Sequence, residues 1–173
     1  DLDKINFYTK FRGPDKTNIV KSNGFSFIHN LLSITGEFTK QPFVDGDVIC
    51  LYNGEIYNHS DFGQYKSDGE CLIPLYKKYG YDFIKKLDGE FAVTLIDFKK
   101  NILILSTDIF KTKPMFYTLT EGVGSSSYSD PLIKLGHKEV VKMEPNTTLI
   151  IDLETKKIIE KRKVIGLNLL KIL

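Results

Sequence analysis

The stretch CLYNGEIYNHSD, Cys50 to Asp61, interrupts an apolar run with three residues of a different kind. The run Val48–Tyr52 is short, apolar and aromatic, which predicts a buried β-strand. Asn53, Gly54 and Glu55 follow at once, and an Asn-Gly pair most often marks a turn. We therefore expect the strand to end at Tyr52, with the polar residues just beyond it.

The same residues also suit a ligand site. The Asn53 amide and the Gly54 backbone each offer an N–H, and a ligand can approach glycine closely because it has no Cβ. Two donors aimed at one point are what a developing oxyanion requires. Glu55 and Asp68, the latter within SDGE (Ser67–Glu70), are carboxylates that could hold an ammonium group. The pattern indicates a site for a small zwitterion with a reactive carbonyl.

The length, composition and net charge are those of an ordinary globular domain. The chain has 173 residues, 42% hydrophobic and 27% charged, which suits one domain with a real core. Its net charge of +2 gives no electrostatic reason to expect a nucleic-acid partner. No stretch suits a membrane span or a signal peptide. Cys50 and Cys71 lie among apolar neighbours, so we expect inert, reduced, buried thiols and a cytoplasmic protein. Three scattered histidines and two lone cysteines predict no metal site.

Short strands dominate the predicted secondary structure. A hairpin turn is expected at 98–101, a flexible loop at Gly122–Ser127, and helices at Glu70–Tyr79 and Asp82–Leu87. The segment Asp1–Phe11 is expected to form the last turns of a further helix, which ends at Arg12–Pro14. Many strands with few helices between them favour a mixed α+β sandwich over a doubly wound parallel sheet. The strands are predicted at Phe25–Ile28, Val48–Tyr52, Phe91–Asp97, Ile102–Thr107, Pro114–Leu119 and Thr147–Asp152.

Seven motifs in a fixed order carry a resemblance over about Arg12 to Asp152. They are FRGPD (11–15), HNLLSIT (29–35), QPF (41–43), YNGEIYNH (52–59), SDGE (67–70), LDGEFAVTLID (87–97) and DIFKTKPMFY (108–117). In these motifs the sequence resembles the glutaminase domain of asparagine synthetase and related class II glutamine amidotransferases.

The resemblance implies the N-terminal-nucleophile hydrolase fold, a four-layer αββα sandwich of two antiparallel sheets. It implies hydrolysis of glutamine to glutamate and ammonia, which passes to an ATP-dependent synthetase domain or subunit, with no cofactor in this domain. The positions matching Asn53 and Gly54 form the family's oxyanion hole, and those matching Glu55 and Asp68 hold the amino end of glutamine. The backbone around Leu32 and Ile34 lines the pocket, whereas a histidine at the position of His29 is expected to be structural.

Two departures from the family pattern bear on activity. The family's nucleophile is an N-terminal cysteine with its own α-amine as base, whereas this sequence begins with Asp1. The family's arginine that binds the substrate carboxylate is replaced by Leu31, which has no donor. We therefore expect a glutaminase-like domain over 1–165 without its first strand and nucleophile, followed by a tail or linker at 166–173.

These departures leave two interpretations open. In one, a nucleophile segment lies upstream and the domain hydrolyses glutamine or a related amide that needs no arginine. In the other, the domain is a catalytically inactive binding or scaffolding module. The apolar tail is one candidate to fill the place of the missing strand.

Overall fold

The computed structural model describes residues 2–33 and 39–165. Its three α-helices are α1 (Leu2–Asn6), α2 (Leu72–Tyr79) and α3 (Ser129–Lys134). Short 3₁₀ helices occupy Lys10–Arg12, His59–Phe62, Asp68–Cys71 and Gly80–Lys86. The strands are β1 (Lys16–Ser22), β2 (Phe25–Leu31), β3 (Phe43–Asp45), β4 (Val48–Ile56), β5 (Gly89–Asp97), β6 (Ile102–Thr107), β7 (Phe116–Thr118), β8 (Gly124–Ser126), β9 (Val141–Lys142), β10 (Thr147–Asp152) and β11 (Ile158–Lys163).

A six-stranded antiparallel sheet forms the centre of the molecule, in the order β11-β10-β6-β5-β4-β3. Every residue of β6 and most residues of β5 and β10 are buried, because both faces of this sheet are covered. Buried β-branched and leucine side chains such as Val93, Ile104 and Ile150 explain why these segments form strands. The predicted turn at 98–101 joins β5 to β6, which confirms that prediction.

Helical segments cover one face of the six-stranded sheet. Tyr76 and Phe83, both fully buried, meet edge to face with ring centroids 5.7 Å apart. They pack with Tyr52, Phe91 and Val164 in one hydrophobic core. Val164 follows β11, so the described chain ends on this helical side.

A second layer of strands covers the opposite face, and it is in two pieces. One is the β1–β2 hairpin, and the other is the three-stranded sheet β8-β7-β9. Phe27, Met115 and Met143 join the inward residues of β4, β5, β6 and β10 in a second core. α3 contacts β7, β8 and α1 on the side of this second layer.

The fold is therefore the α+β sandwich of stacked antiparallel sheets that the resemblance implies, with a divided second sheet. Among the described residues, β2 pairs only with β1, and β8 pairs only with β7. Both strands border one large cavity on the inner side of the layer. In the described part of the chain, no helix is long and apolar enough to cross a membrane.

Several predicted boundaries are wrong. β4 does not end at Tyr52 but continues through Asn53, Gly54 and Glu55 to Ile56, because β5 stays in register beside it as far as Gly89. Gly122–Ser127 is not simply a loop, since 124–126 pairs with β7 as β8. The segment 82–87 is a 3₁₀ helix, Gly80–Lys86, and the helix predicted from Glu70 becomes α-helical only at Leu72. Residues 166–173, the predicted tail, lie outside the described residues.

Candidate active site

The alternation of β4 and β5 places polar side chains on the floor of the cavity. Asn53 and Glu55 lie on the face of β4 opposite to Tyr52 and Ile56, which enter the helical core. On β5, Glu90, Ala92, Thr94 and Ile96 share the cavity face. Parts of β2 and the segment 122–127 form the walls of this space of about 1090 Å³.

Gly54 is required by the close approach of β4 and β5. Its φ of 150° is rarely adopted by residues with a side chain, and an added Cβ would lie 2.0 Å from the Glu90 carbonyl oxygen. Its ladder partner Phe91 donates its N–H to Asp108 and accepts from the Asp108 N–H, at 3.0 Å each. In an antiparallel ladder this leaves the Gly54 N–H directed away from β5. The N–H of Gly54 is thus not used to pair these two strands.

Two buried side-chain amides in this region each have one atom with no hydrogen-bond partner among residues 2–33 and 39–165. The Asn53 Nδ2 is buried without an acceptor, although Asn53 as a whole is partly exposed to the cavity. Gln41, which is only 7% exposed and also lines the cavity, has a buried Oε1 without a donor. Buried polar atoms are rarely left unpaired, so a free donor and a free acceptor here indicate a place for a polar ligand.

The two predicted carboxylates differ in how firmly the protein holds them. The Asp68 Oδ2 accepts hydrogen bonds from the Tyr52 hydroxyl at 2.5 Å and the Ile56 N–H at 2.8 Å. Burial, and next the Asp68 charge, raise the pKa of Tyr52, which therefore stays a neutral donor. Glu55 lines the same cavity and has no cationic partner among residues 2–33 and 39–165. Asp68 is fixed in position, whereas Glu55 is available to a ligand.

The remaining predicted substrate contacts lie on or after β2. Leu31 is buried at 8% exposure and Leu32 is 50% exposed, and both line the cavity. Ile34 falls outside the described residues. His29 also lines the cavity, with no side-chain hydrogen bond among the residues described, rather than being a hydrogen-bonded core histidine. Burial lowers the pKa of His29 to about 4, so its ring is neutral at pH 7.

Both cysteines lie on the other side of the six-stranded sheet. Cys50 and Cys71 are fully buried in the helical core as free thiols, which agrees with the expectation of inert cysteines. Burial raises the pKa of Cys50 well above its ordinary value and that of Cys71 to about 12. Neither thiol faces the cavity or ionises near neutral pH, so neither is suited to act as a nucleophile there.

Three polar features of the cavity were not predicted from the sequence. Gln41 was identified only as the first residue of the motif QPF, although it is buried and lines the cavity. The Lys113 ammonium lies 2.6 Å from Glu90, and the Thr94 hydroxyl lies 2.9 Å from that of Ser125. Glu90 and Thr94 lie on the same face of a largely apolar strand. Their spacing was the signal in the sequence that could have indicated a polar site on this face of β5. Within the described ranges, no group of three or more His, Cys, Asp or Glu side chains has the arrangement of a metal site.

Comparison with known proteins identifies the family. The model of the glutamine amidotransferase domain matches residues 1–165. The chain belongs to this family of class II glutamine amidotransferases. Human asparagine synthetase (glutamine-hydrolysing) is 32% identical over 167 residues, covering 78% of this chain and 30% of that protein. Asparagine synthetase 1 of Saccharomyces cerevisiae is 39% identical over 111 residues, covering 57% and 19% respectively.

A solved structure shows the same fold. The glutamine phosphoribosylpyrophosphate amidotransferase of B. subtilis superposes with a TM-score of 0.62 at 20% identity, over 81% of this chain and 35% of that one. The amidotransferase domain described here spans no more than about a third of the length of these relatives. The domain fold and family are thereby established, as the motifs of the sequence predicted.

Proposed function

We propose that this domain releases ammonia from glutamine, or from a closely related amide, for an ATP-dependent synthetase domain or subunit of the asparagine-synthetase type. The observation that supports this most directly is the pair of donors on β4. The unpaired Asn53 Nδ2 and the Gly54 N–H, which points away from β5, lie on adjacent residues at the cavity. The named relatives, which carry a region like this one within much longer chains, support the synthetase partner.

The proposed reaction is attack on the side-chain carbonyl of the amide. The thiol passes its proton to the α-amine of its own residue and adds to the carbonyl carbon, whose oxygen becomes an oxyanion. The amine returns the proton to the amide nitrogen, and ammonia leaves as the carbonyl re-forms. Asn53 and Gly54 stabilise the oxyanion, and losing one such donor typically costs about 3 kcal/mol. Water then attacks the thioester, releasing the acid and restoring the thiol. Since Cys50 and Cys71 are unsuitable, this mechanism takes its thiol from outside the described residues.

The test is to measure glutamate and ammonia released from glutamine by the protein purified from its own source. Asn53→Ala is expected to lower kcat at least a hundredfold. Asn58→Ala is the matched control, because within the described residues the Asn58 side chain bonds to the backbone of Lys86 and Asp88 and does not line the cavity. Similar losses of activity in both variants would contradict the assignment of the oxyanion donors.

A second candidate function is a catalytically inactive binding or scaffolding module. The burial of both cysteines on the far side of the sheet and the apolar Leu31 beside the cavity favour it. Intact mass and N-terminal sequencing of the purified protein decide between the two functions. A protein without an additional N-terminal thiol that binds amides but releases no ammonia would be such a module. We place either form in the cytoplasm, which the two unpaired thiols support.

A further inference from the structure

The charged residues at the cavity leave an excess of negative charge. Three carboxylates line it, those of Glu55, Asp68 and Glu90, whereas the only Lys or Arg residues that line it in the described ranges are Arg12 and Lys113. Lys113 is bound to Glu90 at 2.6 Å, which neutralises that carboxylate. Glu55 and Asp68 therefore face the cavity without a cationic partner among the described residues.

Arg12 forms no ion pair with these carboxylates among the described residues. Its guanidinium donates to the Tyr128 hydroxyl at 3.0 Å and lies 5.1 Å from the centre of that ring. Two histidines also line the cavity. The ring of His29 is neutral at pH 7 because burial lowers its pKa to about 4, and the ring of His137 lies 3.7 Å from the Glu121 carboxylate, outside the cavity lining. A ligand that brings a positive charge would meet complementary charge at Glu55 and Asp68.

Gln41 independently indicates a ligand with a hydrogen-bond donor. It is nine-tenths buried, it lines the same cavity, and its Oε1 has no donor within the described structure. An acceptor in this state costs free energy unless a partner supplies an N–H or O–H. An ammonium group, with three donors and no acceptor, is the group that suits Gln41 and Glu55 together.

The wall at β2 offers a carboxylate no lysine or arginine side chain. Leu31 projects on the same side of β2 as Phe27 and His29, and it is almost fully buried. Lys16 lies opposite Leu31 in the hairpin, but it is exposed and does not line the cavity. The residues between the two described ranges, 34–38, contain no lysine or arginine. A carboxylate placed against Leu31 would lose its hydration without gaining a charged donor.

We propose that the cavity selects a primary carboxamide that carries an ammonium group and has no free carboxylate, such as an amine-bearing amide whose α-carboxyl is itself blocked. This specificity rests on the proposed function, because it places the reacting amide at Asn53 and Gly54. Glu55 and Gln41 hold the ammonium group, and Leu31 packs against the blocked end.

The test compares three probes by calorimetry with the purified protein. L-Glutamine α-amide keeps the ammonium and blocks the carboxylate, L-glutamine keeps both charges, and N-acetyl-L-glutamine keeps only the carboxylate. The α-amide is expected to bind at least tenfold more tightly than glutamine, and N-acetylglutamine is expected not to bind. Leu31→Arg should reverse the preference, because it adds a cation beside the cavity.

Two control variants separate the contributions. Ile19→Arg adds the same charge at an exposed position on β1 that does not line the cavity, and it should leave the preference unchanged. Lys16→Ala should likewise leave the affinity for glutamine unchanged; a loss would show that Lys16 holds the carboxylate and would overturn the proposal.

The possible failures are distinguishable. Equal or tighter binding of glutamine to the unmodified protein would overturn this specificity while leaving the proposed amidotransferase function intact. Binding of none of the three probes would overturn the specificity and would count against the proposed function as well. Tight α-amide binding without any release of ammonia would support the specificity and assign the domain to the non-catalytic alternative.

Discussion

Gly54 has a structural role as well as the role assigned to its N–H. An alanine there would place its Cβ 2.0 Å from the Glu90 carbonyl oxygen, at a φ of 150° that alanine rarely adopts. Because the obstacle is backbone, neither strand can yield without breaking the pairing of β4 with β5. Gly54→Ala is expected to lower the free energy of unfolding by about 3 kcal/mol or more, measured in urea.

Gly46→Ala is the control for this substitution. Gly46 also has a positive φ, of 62°, but a Cβ there would meet no atom within 4 Å. Its replacement should therefore cost only about 1 kcal/mol, for the backbone conformation alone. Equal losses in the two variants would mean that the close approach of the strands is not what requires glycine at position 54.

The burial of His29 should make the stability of the protein depend on pH. The pKa of His29 is about 4 in the folded protein against 6.5 in the unfolded chain, so between these values the unfolded state binds more protons. The contribution of His29 to the free energy of unfolding is therefore fully present above pH 6.5. It decreases towards pH 4, by up to about 3 kcal/mol. Urea unfolding of the protein and of His29→Gln at pH 7.0, 5.5 and 4.5 measures the effect. If the free energy of unfolding changed with pH by the same amount in both proteins, this prediction would be wrong.

The polar residues of the site were predictable individually, but their environment was not. Asn53 and Glu55 stand out because they interrupt an apolar strand, and the cavity receives both of them. The unpaired state of Gln41 has no local signal, since it depends on which distant strands surround it. The pairing of Glu90 with Lys113 was not predictable either, because the two residues are 23 positions apart in the sequence.

Asp68 connects two elements, the start of the helical layer and the end of β4. Its carboxylate accepts from the Tyr52 hydroxyl and the Ile56 N–H, on the strand that carries the site. Asp68→Ala leaves both donors unpaired and is expected to cost about 2–4 kcal/mol of unfolding free energy. Tyr52→Phe keeps the ring in the core and should cost about 1 kcal/mol, so the pair forms a double-mutant cycle.

The double-mutant cycle measures the coupling free energy between the Asp68 and Tyr52 side chains. If Asp68 and Tyr52 act together, their effects are not additive, and the coupling exceeds about 0.5 kcal/mol. Tyr65→Phe is a suitable control, because its hydroxyl lies at the limit of a hydrogen bond, 3.5 Å from the Phe62 carbonyl. Additive losses for Asp68 and Tyr52 would show that the carboxylate stabilises the protein through Ile56 alone.

At the level of elements, the central strands were predictable because they are uniformly apolar and bounded by turn residues. The β1–β2 hairpin was predicted only in part, although Asn23-Gly24 is a strong turn signal and both residues have positive φ. β11 was not among the strands predicted, because its consecutive charges at 160–163 are equally typical of a solvated strand edge and of a final turn. Its pairing with β10 makes it an edge strand. β4 was predicted too short because Asn-Gly favours a turn unless a neighbouring strand holds it extended.

At the scale of the whole molecule, the sandwich was predictable from the order of the motifs, whereas the open edge of β2 was not. The hairpin register places the N–H groups of Phe27 and His29 towards β1, and those of Ser26 and Ile28 towards the unpaired edge. A two-residue turn at Asn23-Gly24 closes the hairpin with Ser22 and Phe25 as its last pair, which fixes this alternation.

Because of this alternation, hydrogen exchange can test whether another strand pairs with the open edge of β2. With the edge unpaired, the amides of Ser26 and Ile28 should exchange at least tenfold faster than those of Phe27 and His29. Residues 166–173 are one candidate to cover that edge. Val164 and Ile165, however, pack in the helical core on the opposite face of the six-stranded sheet, so the tail would have to pass around β11 to reach it. We therefore expect deletion of 167–173 to leave these exchange rates unchanged; faster exchange of Ser26 and Ile28 alone would instead show that the tail pairs with β2.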